Sequence, residues 1–501
     1  MNPRYSLLLL GFCTPVLGAD GLAIYTHGGA KPAAMACASC HGADGMGMAA
    51  AGFPRIAGLP EAYLERQMRA YREGLRANPV MQPIAAALTE DETRIVLQYV
   101  STLPAPAYPQ ITRAAEARDA GAVLALRGDW PQGIPECVSC HGPGGVGVGG
   151  DFPPLVGQPE NYLMDQLDAW RKGTRKGDPQ DMMGRIARAM NESQVSAAAG
   201  YFSALKPGTA VPAQTTDEPA SKTANAAPPP SAAPSTSGFT PPAEDSLGDD
   251  PFSQLVRQGR ALFVDTAREA RPFVGNGMNC VNCHLDQGRL GGSGPLWGAY
   301  PMYPAWRVKD KAVDSYADRL RGCFRFSMNG TEPPVDGPVI QALAAYSYWL
   351  STGARIGVAP AGRGYPAIPE PAGGYDLVQG QKVYGQSCAI CHGTQGQGMK
   401  VGEGYVFPPL WGADSYNWGA GMARLDYAAA FIHTNMPLGQ GNTLSPADAW
   451  HVAAYMNSHE RPRDPRMIDG SVEKTRAAFH AGQPTLYGAT VNGVRLGAST
   501  P

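Results

Sequence analysis

Cys280, Cys283 and His284 stand at the spacing C-x-x-C-H, and that spacing returns at Cys37, Cys40 and His41, at Cys137, Cys140 and His141, and at Cys388, Cys391 and His392. Two thiols and an imidazole so placed are the attachment signature of a c-type haem: the cysteines bond the porphyrin vinyl groups and the histidine ligates the iron. Four copies predict four covalently bound haem c groups and a chain that moves electrons.

Eight of the ten cysteines lie in those motifs and Cys13 lies in the N-terminal segment, so Cys323 is left without a partner in its own chain. A lone thiol is often an inert buried residue. Here it sits among Arg307, Lys309, Lys311, Arg319, Arg321 and Arg325 in a chain whose net charge is only −2. Clustered cations favour a thiolate and attract small dianions; an ordinary solvated helix face, balanced by Asp310, Asp314 and Asp318, explains the same residues equally well.

The elements that must position these groups are the helices of small haem domains. The haem histidines lie 100, 143 and 108 residues apart, which predicts an all-α protein of four class I cytochrome c-type haem domains arranged as two dihaem modules. Residues 1–18, apolar after Arg4 and ending in small residues, read as a signal peptide that directs the chain to the periplasm. Haem domains then occupy 19–106 and 107–205. Residues 206–250, rich in Pro, Ala and Ser, read as a tether. A third haem domain spans 251–360, and a fourth, with a C-terminal tail assigned a packing role, spans 361–501. With 41 basic and 43 acidic residues there is no global charge for nucleic acid, and no window of the mature chain is apolar enough for a transmembrane segment.

The first half is an internal duplication, in which Phe53-Pro54-Arg55-Ile56 returns as Phe152-Pro153-Pro154-Leu155. Pro60 and Pro159 open helices, the first with an apolar stripe at Leu64, Met68, Tyr71 and Leu75. Thr89 with Glu92, and Asn191 with Gln194, mark capping boxes. Met81 lies 40 residues after His41 and Met183 lies 42 after His141, each before an Ile-Ala pair; both are expected as sixth iron ligands, with Met182 the rival to Met183. The Gly144–Gly150 run follows a haem motif instead of a strand and so is no nucleotide loop. From Ala19 to about Leu205 this half resembles the dihaem cytochrome c4 family, which implies an electron carrier.

Val406-Phe407-Pro408-Pro409-Leu410 repeats the haem-packing pattern, with Gly294-Pro295-Leu296 its counterpart. Met436, 44 residues after His392, is the expected fourth distal ligand, ahead of Met399 and Met422. Ser445 and Pro446 open the last haem helix. At the third haem, Met328 lies 44 residues and Cys323 39 residues after His284, and spacing leaves both open.

The run Arg319 to Gly330, downstream of one haem motif and upstream of another, resembles the dihaem thiosulfate dehydrogenases, and the c4-like half ahead of it resembles their fused form. The resemblance implies that Cys323 is both distal ligand of the third haem and the sulfur that engages substrate. It implies that Arg319 and Ser327 orient substrate, that two thiosulfates are coupled to tetrathionate or tetrathionate is reduced in the reverse reaction, and that electrons released in coupling leave through haems four, two and one to a soluble acceptor or a terminal oxidase. Some members carry a lysine just before the fourth haem's methionine; here that residue is Asn435. Two other classes predict different behaviour: a plain tetrahaem electron carrier would use Met328 and ignore sulfur anions, and a cytochrome resembling the SoxA group would pass its sulfur adduct to a carrier protein.

Overall fold

A computed structural model describes residues 20–208 and 239–498; the signal segment and the Pro-rich heart of the tether lie outside the described residues. Two compact units result, one ending at Ala105 and one beginning at Pro106.

In the first unit, helices Gly21–His27 and Glu90–Thr102 cross, and Glu61–Arg72 packs against Glu90–Thr102 and Met81–Ala87. Pro60 caps the Glu61–Arg72 helix, whose buried face is Tyr63, Leu64, Met68 and Tyr71. Leu75 falls beyond the helix end and is exposed, so the stripe is one residue shorter than its spacing predicts. Thr89 and Glu92 form both halves of the expected capping box, satisfying backbone donors that the first helical turn leaves unpaired.

The second unit repeats this plan. Glu160–Arg171 starts after Pro159, and Asn191 and Gln194 cap Glu192–Ala204 reciprocally. Further on, Pro251–Val264 packs on Pro338–Leu350, and Leu377–Ser387 on Pro446–Asn457, whose N-cap is Ser445. Helices predominate, with three short antiparallel ribbons among the described residues. Two of these, Ala305–Arg307 with Ala312–Asp314 and Met399–Val401 with Gly404–Phe407, interrupt the all-α plan expected from the sequence.

The two halves of the chain are not held by a tether alone. Cys140, Val148, Phe152 and Met182 of the second haem segment share one buried apolar cluster with Val406 and Phe407 of the fourth. The Phe152 and Phe407 rings lie 4.9 Å apart. Phe239–Asp250, read from composition as tether, is also packed: Phe239 lies 5.1 Å from the Trp297 ring, and Asp250 caps Pro251–Val264. Within it, Glu244 Oε1 stands 3.2 Å from Arg127 Nε and 3.1 Å from Arg260 Nε, joining the second haem segment to the third.

Burial opposes ionisation of Glu244, but Arg260, Arg127 and Arg289 outweigh it and hold the carboxyl below its usual range. A depressed folded pKa contributes stability that is present above the unfolded value and lost as pH falls through the folded one. Glu244→Gln is therefore expected to cost about 1–2 kcal/mol near neutrality, since it strands two buried guanidiniums while the carboxylate itself reaches solvent. Thermal melts of the variant and wild type should converge as pH drops below about 4; a constant difference across pH would refute the clamp.

Candidate active site

Each haem motif presents its histidine in one way. The Nδ1–H of His41 donates to Pro54 O at 2.9 Å, His141 to Pro153 O at 2.7 Å, His284 to Gly294 O at 2.6 Å and His392 to Pro408 O at 2.8 Å. The repeated Phe-Pro pattern is thus a carbonyl held out to the ring. With Nδ1 committed, Nε2 is left as the ligating nitrogen, and the ring's rotation is fixed. Burial lowers the pKa of all four, His284 to about 4, keeping the imidazole neutral as iron ligation requires. At the third motif glycine replaces proline: Gly294 has φ +66°, and a Cβ there would stand 3.1 Å from His284 Nδ1. All eight motif cysteines are free of disulfides. This donor set fits covalently attached haem c, and each neutral imidazole would hold the iron.

Opposite candidates are less alike. Met81 and Met183 both sit in the first turn of their helices, each with its backbone N–H donating to an Asx carboxyl or amide oxygen: Asn78 at 2.8 Å and Asp178 at 2.6 Å. Met182 is buried in the cluster around Phe152 and Phe407. Met399 packs against the same cluster, and Met436 follows the Leu425–Asn435 helix; Met436 and Met422 both pack on the fourth segment's core. Asn435, buried, donates to Gly292 O at 3.1 Å; its amide is engaged in joining the third and fourth segments.

The Tyr316–Phe326 helix carries the lone thiol. Ser315 and Asp318 form a capping box that fixes its start; the Ser-x-x-Asp signal in the sequence announces it. From that start, spacings of three and four place Tyr316, Arg319, Cys323 and Phe326 along one face. Arg319 Nη1 donates to Cys323 Sγ at 2.9 Å. Ser327, the C-cap, donates its backbone N–H to Cys323 O at 2.9 Å. Met328 is buried in the apolar core with Met278, Phe324 and Ile340.

The cations that the sequence groups together separate in space. Arg321 and Arg325 turn to Glu332, at 2.8 and 3.6 Å. Arg307 lies over Tyr303 at 5.9 Å, and Lys311 over Phe479 at 5.4 Å. Arg319 and Lys309 remain near the thiol: both are in electrostatic range of Cys323. Sequence reasoning missed the phenols around them. Tyr303, Tyr316 and Tyr365 each lie in the field of both Arg319 and Cys323, and burial above all raises their pKa, so each stays a neutral hydroxyl. Such a site, with one sulfur and fixed cations among neutral hydroxyls, can bind a small sulfur oxyanion and offer it a nucleophile.

Comparison with known proteins identifies the family. The family model described as "Cytochrome c" matches residues 27–104, and that described as "Cytochrome C oxidase, cbb3-type, subunit III" matches residues 376–456. The fold and its histidines thus define a multi-haem cytochrome c with covalently bound haem c. A thiosulfate dehydrogenase of Stutzerimonas stutzeri is 62% identical over 260 residues, 52% of this chain and 85% of that one. A thiosulfate dehydrogenase electron acceptor of the same organism is 59% identical over 184 residues, 37% of this chain and 85% of that one. The solved thiosulfate dehydrogenase TsdBA of Marichromatium purpuratum, in its as-isolated form, is 44% identical with a TM-score of 0.84, covering 96% of this chain and 99% of that one. The chain belongs to the thiosulfate dehydrogenase family, with an electron-acceptor half and a dehydrogenase half in one polypeptide.

Proposed function

We propose that this chain couples two thiosulfate ions to tetrathionate at Cys323 and exports the two electrons released. The observation that carries the proposal is the Arg319–Cys323 contact of 2.9 Å, with the competing Met328 committed to the core. Thiosulfate is a dianion, and bringing two together meets Coulomb repulsion that fixed cations offset. Arg319, one turn before the thiol, orients the first through its guanidinium, and Ser327, one turn past the thiol, orients it from the other side. Cys323 thiolate and one thiosulfate form a sulfur–sulfur bond with loss of two electrons. The sulfane sulfur of a second thiosulfate attacks the adduct's sulfane sulfur, the one bonded to Sγ; the central bond of tetrathionate forms as the Sγ–S bond breaks, and Cys323 leaves as thiolate. Charge and atoms balance: two dianions give one dianion and two electrons.

Four haem c groups, one at each motif, accept and carry those electrons when bound. Met81, Met183, Cys323 and Met436 would each supply the second protein ligand to the iron held by His41, His141, His284 and His392 respectively. Two dihaem modules make up the chain, and the apolar cluster shared by Cys140 and Phe407 supports a close approach of the second and fourth sites. No helix among the described residues is long and apolar enough to cross a membrane. On this reading the chain is exported to the periplasm by residues 1–18 and delivers electrons to a soluble acceptor or a terminal oxidase.

The test is anaerobic mixing of oxidised protein with thiosulfate, following haem absorbance while assaying tetrathionate. One tetrathionate per two haems reduced is expected. Reduction without tetrathionate would instead indicate transfer of the sulfur adduct to another acceptor, and no reaction in either direction would indicate an electron carrier.

A further inference from the structure

Sequence reasoning gives the tail beyond Arg461 a packing role, yet one part of it reaches the thiol's surroundings. Asp464 is wholly buried and accepts from Arg466 Nε at 2.9 Å, Arg466 Nη2 at 2.6 Å and His480 Nε2 at 2.8 Å. His480 is itself stacked on Tyr487, with centroids 4.2 Å apart. Burial opposes ionisation of Asp464, but the bonds from His480 and Arg466 hold its carboxyl well below the usual range, so it is charged across the working pH range. Arg466 is thereby fixed, with its remaining nitrogen, Nη1, left to reach a group outside the tail. Nη1 donates to Lys309 O at 3.0 Å, and the guanidinium carbon lies 4.9 Å from the Phe326 ring and 4.5 Å from that of Phe479.

Lys309 needs such a fastening. It sits in the turn of the Ala305–Arg307 and Ala312–Asp314 ribbon, whose cross-strand pair Trp306 and Val313 is 64% and 66% exposed. A two-stranded ribbon without an apolar face on the core is barely stable by itself. Nevertheless Lys309 Nζ lies 3.6 Å from the Phe326 ring centroid, and Phe326 is three residues after Cys323 on the same helix face.

We propose that Arg466 is a positioning residue for the thiosulfate reaction: by holding the Lys309 carbonyl it keeps the Lys309 ammonium against Phe326, where that ammonium serves with Arg319 as an anion-binding cation beside Cys323. The proposal rests on the thiosulfate reading given above. Burial first, then the Arg319 and Arg466 charges, push Lys309 well below the usual lysine range. A dianion bound between these cations relieves that repulsion, so the lysine adds to affinity for the charged substrate. The tail, on this account, completes the substrate site through a main-chain contact and touches no reacting atom.

The experiment is a double-mutant cycle on the full-length holoprotein. Lys309→Met, Arg466→Met and the pair are compared for thiosulfate KM and kcat, with haem absorbance and thermal midpoint as checks on folding. Each single variant is expected to raise KM roughly tenfold, the loss of about one charge-assisted contact, with kcat changed less than about threefold. The pair is expected to be no worse than Lys309→Met alone, because Arg466 acts through Lys309. Arg466→Lys, which keeps one donor for the carbonyl, should recover part of the KM. A purely structural Arg466 would lower the thermal midpoint and leave KM untouched, overturning the proposal; penalties that multiply to about a hundredfold in the pair would overturn it too. Silence of the wild-type chain toward thiosulfate overturns the functional reading and this proposal together, whereas a reactive wild type with a KM-neutral Arg466→Met overturns the proposal alone.

Discussion

Replacing Cys323 with glycine is expected to leave all haems attached and to reduce thiosulfate-dependent turnover by roughly three orders of magnitude or more, as loss of a covalent nucleophile does. Cys323 makes no covalent bond within the protein, and its neighbours on the Tyr316–Phe326 helix keep that helix in place through buried Leu320, Phe324 and Phe326. Glycine in a helix interior costs only about 1 kcal/mol, so the domain should fold. Cys323→Ser tests the chemistry more narrowly: it preserves size and the Arg319 contact but cannot form a sulfur–sulfur bond. Met328→Leu is the complementary variant. Because Met328 packs with Met278 and Ile340 in the core, its loss should leave the third haem's ligand-sensitive absorbance unchanged, while Cys323→Gly should alter it. Near-normal turnover by Cys323→Ser would remove the thiol from the reaction and return Met328 to consideration as ligand.

What the sequence made legible was local. Each C-x-x-C-H motif, each capping box and each Phe-Pro segment lies within about twenty residues of the group it serves, and short-range patterns record short-range physics. The duplicated Phe53 and Phe152 segments were readable as repeats, although their purpose, a carbonyl held to His41 Nδ1 or His141 Nδ1, needed coordinates. Contacts made across long separations left no such mark. Phe152 reads as one more haem-packing residue, but its ring lies 4.9 Å from that of Phe407, 255 positions later. Phe239–Asp250 has the composition of a tether, and contacts far off in sequence make it part of the fold: Trp297 on Phe239, and Arg127 and Arg260 on Glu244. Six cations look equivalent in the run from Arg307 to Arg325; Glu332 removes two, and a tail residue more than a hundred positions later fastens one of the others. Charge clustering in sequence therefore does not tell which of the six cations face Cys323.

Arg319→Met is expected to lower kcat/KM for thiosulfate by one to two orders of magnitude, the second large effect. The guanidinium is the one group with a hydrogen bond to Cys323 Sγ, at 2.9 Å, among the described side chains. Hydrogen bonds to charged partners contribute about 1.5–3 kcal/mol, and each 1.36 kcal/mol is a factor of about ten. Methionine retains the unbranched stem that runs along the helix, so packing changes little while the donors vanish. Cys323's field is the largest influence on Arg319, and it stabilises the guanidinium charge despite burial; the two groups therefore support one another, and removing either weakens the other's reason to be there. Arg319→Lys should recover part of the KM but little of the kcat, because an ammonium supplies charge without the planar pair of donors that can bind sulfur and sulfonate oxygen together. Steady-state kinetics, with thiosulfate titrations of the oxidised haem spectrum, separate these effects. Unchanged kcat and KM in Arg319→Met would mean that the arginine serves only to hold the helix, and the anion site would then have to be built from Lys309 and the phenols of Tyr303, Tyr316 and Tyr365.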